Sequence, residues 1–380
     1  MEFLKHYLST HQEVKYFLDH TKQAAHLSDV QESLLIYGAH LQQNAPLFVV
    51  KENDVQLENI KSLLLSFDET LKIVTLSHEE SLRIEAIASS NHLKYHRIAT
   101  LYDVILEDYD ICLVSAMSTL RKISHKETLQ DKILNLKVGM EIEPGTLVQT
   151  LESMGYRRVK YVERPFTYAL RGGICDVYSI QEENPLRIEF FDVEIESLRS
   201  FDIDSQRSIE EKNEATLIFA SDVLLTDEDL KDIDTNIQKD LKGKSDELQA
   251  EVYLNLELLK NMQYEDDMYP YLAYWDDYST ILDYIDKAKV FLFPIDALEH
   301  TIKVSLEDMG EFIHERFESD LLLPSTNLYE NPEKLLSLDA YKSVKFQSEQ
   351  GLILPWHESN IVANELTDTV KIIENEAKRS

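Results

Sequence analysis

Glycine is scarce in this chain: nine in 380 residues, about a third of the usual ~7%. Loops that cradle phosphates need glycine so that backbone N–H groups can wrap the anion, followed by a Lys and a Ser or Thr. The first glycine is Gly38, and the one Gly-Lys-Ser, Gly243-Lys244-Ser245, has Gln238 where the loop's earlier glycine belongs. It also falls in an acidic helical stretch rather than after a strand. Cysteine is scarcer still. Cys112 and Cys175 are too few for a disulfide framework and have no metal-ligand spacing. Basic residues are outnumbered, 38 Lys plus Arg against 70 Asp plus Glu, for a formal charge of −32. Such a field repels nucleic acid, whose binding is built on neutralised phosphates, and it keeps the chain in solution. No apolar run approaches the ~20 residues of a membrane span, and the N-terminus has no signal-peptide pattern. A cytoplasmic protein with no membrane partner is expected.

What is present is enough apolar material, 43% of residues, for two or three domains with cores of their own. Apolar runs at 46–50, 72–76 and 110–116 read as buried strands, with helical patterns at 54–67 and 93–106 between them. That alternation predicts a parallel sheet with helices on its faces. Five of the nine glycines then crowd into residues 139–173, marking a turn-rich segment of different character. Pro144 stands where a first helical residue would be and Gly155 just past that helix's end. Beyond residue 213 come a strand-like 216–220, a long acidic helical stretch to about 262, a last strand at 290–295 and a helical tail at 360–379. A tail helix with nothing to pack on predicts a chain cut from something longer.

The most informative stretch lies between 171 and 208. It reads Arg-Gly-Gly-Ile-Cys-Asp-Val-Tyr from Arg171, Pro-Leu-Arg-Ile-Glu-Phe-Phe from Pro185, and a charged run from Glu194 to Ser208. Leu186, Ile188 and Phe190 alternate with Arg187, Glu189 and Phe191, the period of a half-buried strand. Gly172 and Gly173 stand where the chain must bend or pass close to another backbone. A polar face of arginines and carboxylates suits a partner surface better than a catalytic pocket. Alternatively the arginines pair with Glu189 and Asp192 on a solvated sheet.

These elements resemble the small second domain shared by the excision-repair helicase UvrB and the transcription-repair coupling factors, in which it is the docking face for the damage sensor UvrA. The resemblance spans about residues 25–350 and is most specific over 155–209. It implies a docking set of Arg171, Arg187 and Phe191. Next to it, Phe166-Thr167 and Asp192-Val193 stand where the family has Gly-Glu and Gly-Asp, so turn geometry and affinity are open. The resemblance also places a degenerate P-loop at 26–33, with His26, Asp29, Glu32 and Ser33. Glu32 takes the position of the phosphate-binding lysine and Asp29 that of a loop glycine. Carboxylates where phosphates should sit predict no nucleotide binding and no ATP hydrolysis here. No Asp-Glu pair follows 290–295, since Asp296 precedes Ala297. Loss of the loop and of a tyrosine-rich hairpin favours the coupling factors over the excision helicase.

The implied fold is α/β: a degenerate P-loop, RecA/helicase-like domain in two halves (1–130 and 214–350), an inserted small α+β UvrA-docking domain (131–213) and a tail (351–380). The resemblance further implies that missing domains bring ATP with Mg, RNA polymerase and DNA, and that a C-terminal domain masks the docking face. Other candidates have plainer readings. Arg157, Arg158, Lys160, Arg164 and Arg171 form a basic stretch that serves DNA, a protein partner or solvation. His92 and His96 have helical ligand spacing but no third ligand. The acidic aromatic stretch 264–286 is a partner surface or a helix with aromatic core contacts. No catalytic triad has a recognisable spacing.

Overall fold

In the computed structural model of the chain, which describes residues 2–25, 27–43, 45–78, 91–260, 266–319, 323–325 and 327–344, the N-terminal apolar runs become parallel strands. They are β1 (Gln23–Ala25), β2 (Leu47–Lys51), β3 (Ile73–Leu76) and β4 (Ile111–Ser115). Two helices, α1 (Glu2–Thr10) and α2 (Gln12–Tyr16), precede them; α3 (Asp29–Gln42), α4 (Asp54–Phe67) and α5 (Asn91–Ile105) connect them. The chain then leaves this sheet. It forms α6 (Lys126–Gln130), β5 (Leu134–Lys137), α7 (Pro144–Ser153), β6 (Arg157–Arg158), β7 (Thr167–Arg171), β8 (Ile174–Val177), β9 (Leu186–Phe191), β10 (Glu194–Phe201), β11 (Ser208–Lys212) and β12 (Glu214–Leu217). It returns through α8 (Asp227–Asp240) and α9 (Asp246–Lys260) to β13 (Lys289–Leu292), α10 (Ile295–Glu318), α11 (Glu333–Leu336) and β14 (Tyr341–Val344).

The first sheet is parallel throughout, in the order β1-β14-β13-β2-β4-β3. Strands from both ends of the chain thus share one sheet. Its middle strands carry apolar residues on both faces because helices cover both. Leu47, Val49, Ile111 and Leu113 pack with Leu35 and Ile36 of α3 and Leu57 and Ile60 of α4. The alternate residues Phe48, Val50, Cys112 and Val114 meet Ile98 and Leu101 of α5 and Leu298 and Ile302 of α10.

The second sheet is ordered β11-β10-β9-β8-β7-β6 and is antiparallel apart from its β6–β7 edge. Tyr168, Cys175, Val177, Leu186, Ile188 and Leu198 turn inward onto Leu147, Leu151 and Met154 beside α7, in a core continuous with that of the first sheet. Pro144 is at the first position of α7 and Gly155, at φ +88°, ends it as expected. β5 and β12 pair with each other where the chain enters and leaves this region. There Asp222, buried after β12, receives Nε of Arg97 at 3.0 Å and of Arg121 at 2.8 Å. Burial pushes its carboxyl up, but the two guanidiniums outweigh that and hold it well below the ordinary carboxylate value.

One expectation changes. The strand at 290–295 is not the last, because β14 inserts between β1 and β13. Of the two readings of the aromatic stretch, core contacts hold: Tyr271, Tyr274, Trp275 and Tyr284 are buried. Buried Lys122 reinforces it, donating to the carbonyls of Leu272 and Trp275 over the Tyr278 ring. The expected tail helix at 360–379 and residue Tyr264 lie outside the described residues.

Candidate protein-docking face

The geometry at residues 26–33 follows from its capping residues. β1 ends at Ala25 and α3 begins at Asp29, so only residues 26–28 connect them. Ser28 caps the helix, its hydroxyl accepting from the Gln31 backbone N–H while the Gln31 side chain accepts from Ser28 N–H. His26 lies outside the described residues, Asp29 occupies the first turn and Ser33 Oγ donates to the Asp29 carbonyl. Glu32 is not poised against an incoming anion as the sequence reading had it. Its side chain turns inward, where Oε2 is 2.5 Å from Nζ of buried Lys51 and Oε1 accepts from Ser343. Burial raises its carboxyl pKa against the pull of Lys51. The pair links α3 to the ends of β2 and β14.

The outward face of the second sheet is set by strand register. Directly opposed residues share a face. One cross-strand row runs Ala169, Asp176, Arg187, Arg199 and Glu211; the next runs Arg171, Ile174, Glu189 and Ser197. Phe191, two residues after Glu189, continues that face and is 73% exposed. Phe190 is half-buried against the core, as the strand period predicts.

The arginines do not pair as the solvated-sheet alternative has it. Asp192 takes no part, and Glu189 instead pairs with Arg199 and accepts from Ser197. Both arginines converge on Asp176, which has no exposed surface. Arg171 Nη2 is 2.5 Å from Asp176 Oδ2, and Arg187 places Nε 2.7 Å from Oδ1 and Nη2 3.0 Å from Oδ2. The two differ in access: the Arg171 side chain is 44% exposed and that of Arg187 18%. Asp176 is the residue that sequence reasoning missed; its place in the Arg-Gly-Gly-x-x-Asp run was the available signal.

The turns beside this face keep a glycine-like backbone without glycine. Phe166 has φ +61° and Asp192 φ +59°, the left-handed region that a bulky side chain rarely adopts. Both are positions where the resemblance has glycine. Phe166 is held there by burial against the rings of Tyr95 and Tyr156. Asp192 opens the two-residue β9–β10 turn, where a short polar side chain is tolerated. At the β7–β8 turn Gly172 has φ +61°, and a Cβ on Gly173 would meet the Phe190 carbonyl at 3.2 Å.

The remaining candidates resolve plainly. Arg158, Lys160 and Arg164 are exposed near the β6–β7 edge, with Arg171 and Lys160 each over the Tyr161 ring. His92 is exposed, while His96 hydrogen-bonds Thr75. Among the described residues no group of three His, Cys, Asp or Glu could hold a metal. Gly243, at φ +83°, turns the chain between α8 and α9, Ser245 caps α9, and Lys244 lies over Phe317. Cys112 and Cys175 are both buried and free. No described helix is long and apolar enough to cross a membrane.

Residues 134–222, which contain the whole second sheet, match the family model of the UvrB interaction domain. Over 324 residues, 82% of this chain, it is 26% identical to the transcription-repair-coupling factor of Bacillus subtilis (strain 168), covering 28% of that protein. The transcription-repair-coupling factor of Staphylococcus epidermidis is 24% identical over 74% of this chain and 25% of its own length. That of Staphylococcus aureus (strain bovine RF122 / ET3-1) is 26% identical over 77% and 26%. The chain spans about a quarter of the length of the curated relatives it matches. Domain match and relatives point the same way: the chain is similar to a portion of the transcription-repair-coupling factors, and its residues 134–222 match the UvrB interaction domain.

Proposed function

We propose that this chain is a UvrB-like, ATPase-inactive module that recruits the damage sensor UvrA during transcription-coupled nucleotide excision repair, docking it on the outward face of the second sheet. The observation that carries the reading is Phe191, a large apolar side chain left 73% exposed on the same outward face as Arg171 and Arg187 of the matched domain. An exposed aromatic with arginine neighbours has the composition of an interface hot spot. In the intact protein the proposed partners reached through other domains are RNA polymerase and DNA, with ATP and Mg serving a DNA-translocating motor. A C-terminal domain would mask this face. The lost ATPase rests on the three-residue connection ahead of α3 and on Glu32, whose carboxylate is committed to Lys51 rather than replaced by a loop lysine. Capture of purified UvrA by this chain tests the reading, and no binding at micromolar concentrations would refute it.

A further inference from the structure

Arg171 and Arg187 share one carboxylate, but they share it unequally. Arg187 gives Asp176 two donors in a fork, offers Nη1 to the Gln206 carbonyl at 3.3 Å and lies 4.5 Å over the Phe201 ring. Phe201 is itself buried on this same face, in a small apolar cluster with Val162 and Ala169 that is separate from the main core. Arg171 gives Asp176 a single donor, has Nη1 3.4 Å from the Lys160 carbonyl, and keeps 44% of its side chain exposed. Two guanidiniums around one carboxylate leave one net positive charge, and the exposed partner presents it. Next along the same face stand Ile174, 36% exposed, and Phe191. We propose that Asp176 is the positioning residue of the docking face: with Arg187 locked into the sheet as its counter-ion, it aims Arg171, which meets the partner together with Ile174 and Phe191. The inference rests on the reading of this face as the UvrA site.

The physical reason is preorganisation. A free arginine must be ordered when it binds, and ordering long side chains opposes association. A buried carboxylate orders Arg171 beforehand, and the fork from Arg187 neutralises that carboxylate and fixes its orientation. Arg187 therefore acts on docking through Asp176.

The test measures UvrA binding for the wild-type chain, Arg171→Ala, Asp176→Asn, Arg187→Gln and Arg187→Lys, and for each of the last three combined with Arg171→Ala. Thermal melts verify that every variant folds. Each single change is expected to weaken binding by about fivefold or more, Arg187→Lys as much as Arg187→Gln because an ammonium cannot form the fork. In the Arg171→Ala background the further losses should nearly vanish, a non-additivity that a merely structural role would not produce. If Asp176→Asn does not fold, the Arg187→Lys pair carries the same comparison. Losses that multiply in the double variants, or full binding by folded Asp176→Asn or Arg187→Lys, would overturn the proposal. If the wild type binds no UvrA, the docking reading itself fails; if it binds and Arg171→Ala weakens it, that reading stands whatever the other variants do.

Discussion

Phe190 and Phe191 are consecutive and chemically identical, yet the strand gives them opposite tasks. Phe190 faces the core and hydrogen-bonds through its backbone N–H to the Gly173 carbonyl; Phe191 faces solvent. Phe190→Ala should destabilise the fold, by less than the ~3–5 kcal/mol typical of a fully buried Phe because its side chain is only half-covered. Phe191→Ala should leave the melting temperature within about the ±0.5 kcal/mol equivalent of a surface change. Thermal denaturation of the two variants checks this, and the reverse ranking would mean that the strand is flipped. The alternation in 186–191 made this contrast legible from sequence alone. Asp176 was not legible in the same way. Which carboxylate receives an arginine depends on cross-strand register, and that register is set by the Gly172-Gly173 turn and by the irregularity between Ile195 and Ser197.

At the scale of elements, strands β2, β3 and β4 were readable because a central parallel strand is a continuous apolar run. β14 was not, since Tyr-Lys-Ser-Val is short and half polar. Its polar residues have specific uses: Ser343 donates to Glu32, and Lys342 Nζ to the Leu336 carbonyl. The meeting of α5, the segment after β4 and the segment after β12 was equally hidden, because Arg97, Arg121 and Asp222 are far apart in sequence. Asp222 carries a pH signature. A carboxyl held below its unfolded value of about 3.8 contributes stability that is full above that pH and is lost as pH falls toward the folded-state value. Asp222→Asn should cost about 3–5 kcal/mol at neutral pH, since it removes the buried carboxylate on which both Arg97 and Arg121 converge. The gap to the wild type should narrow below pH 4. Melting curves from pH 7 to pH 2 check this; a gap independent of pH would contradict the assigned pair.

Across the whole molecule, two sheets share one core, and the net charge of −32 contrasts with a face that exposes Arg171, Ile174 and Phe191 alongside the carboxylate of Glu211. That contrast favours a protein partner over DNA, which such a field repels. The glycine shortage legible in the sequence has its counterpart in a short, capped connection ahead of α3, although the inward turn of Glu32 toward Lys51 could only be seen in three dimensions. Titration calorimetry of the chain with ATP and Mg should show no binding heat, whereas micromolar affinity would contradict the inactive-loop account. The central claim is UvrA docking on the second sheet, and the most direct measurement is UvrA affinity for the wild-type chain beside Arg171→Ala and Phe191→Ala. The wild type should bind, and each variant should lose roughly 1–3 kcal/mol of binding free energy while melting normally; folded variants that bind UvrA as tightly as the wild type would contradict it.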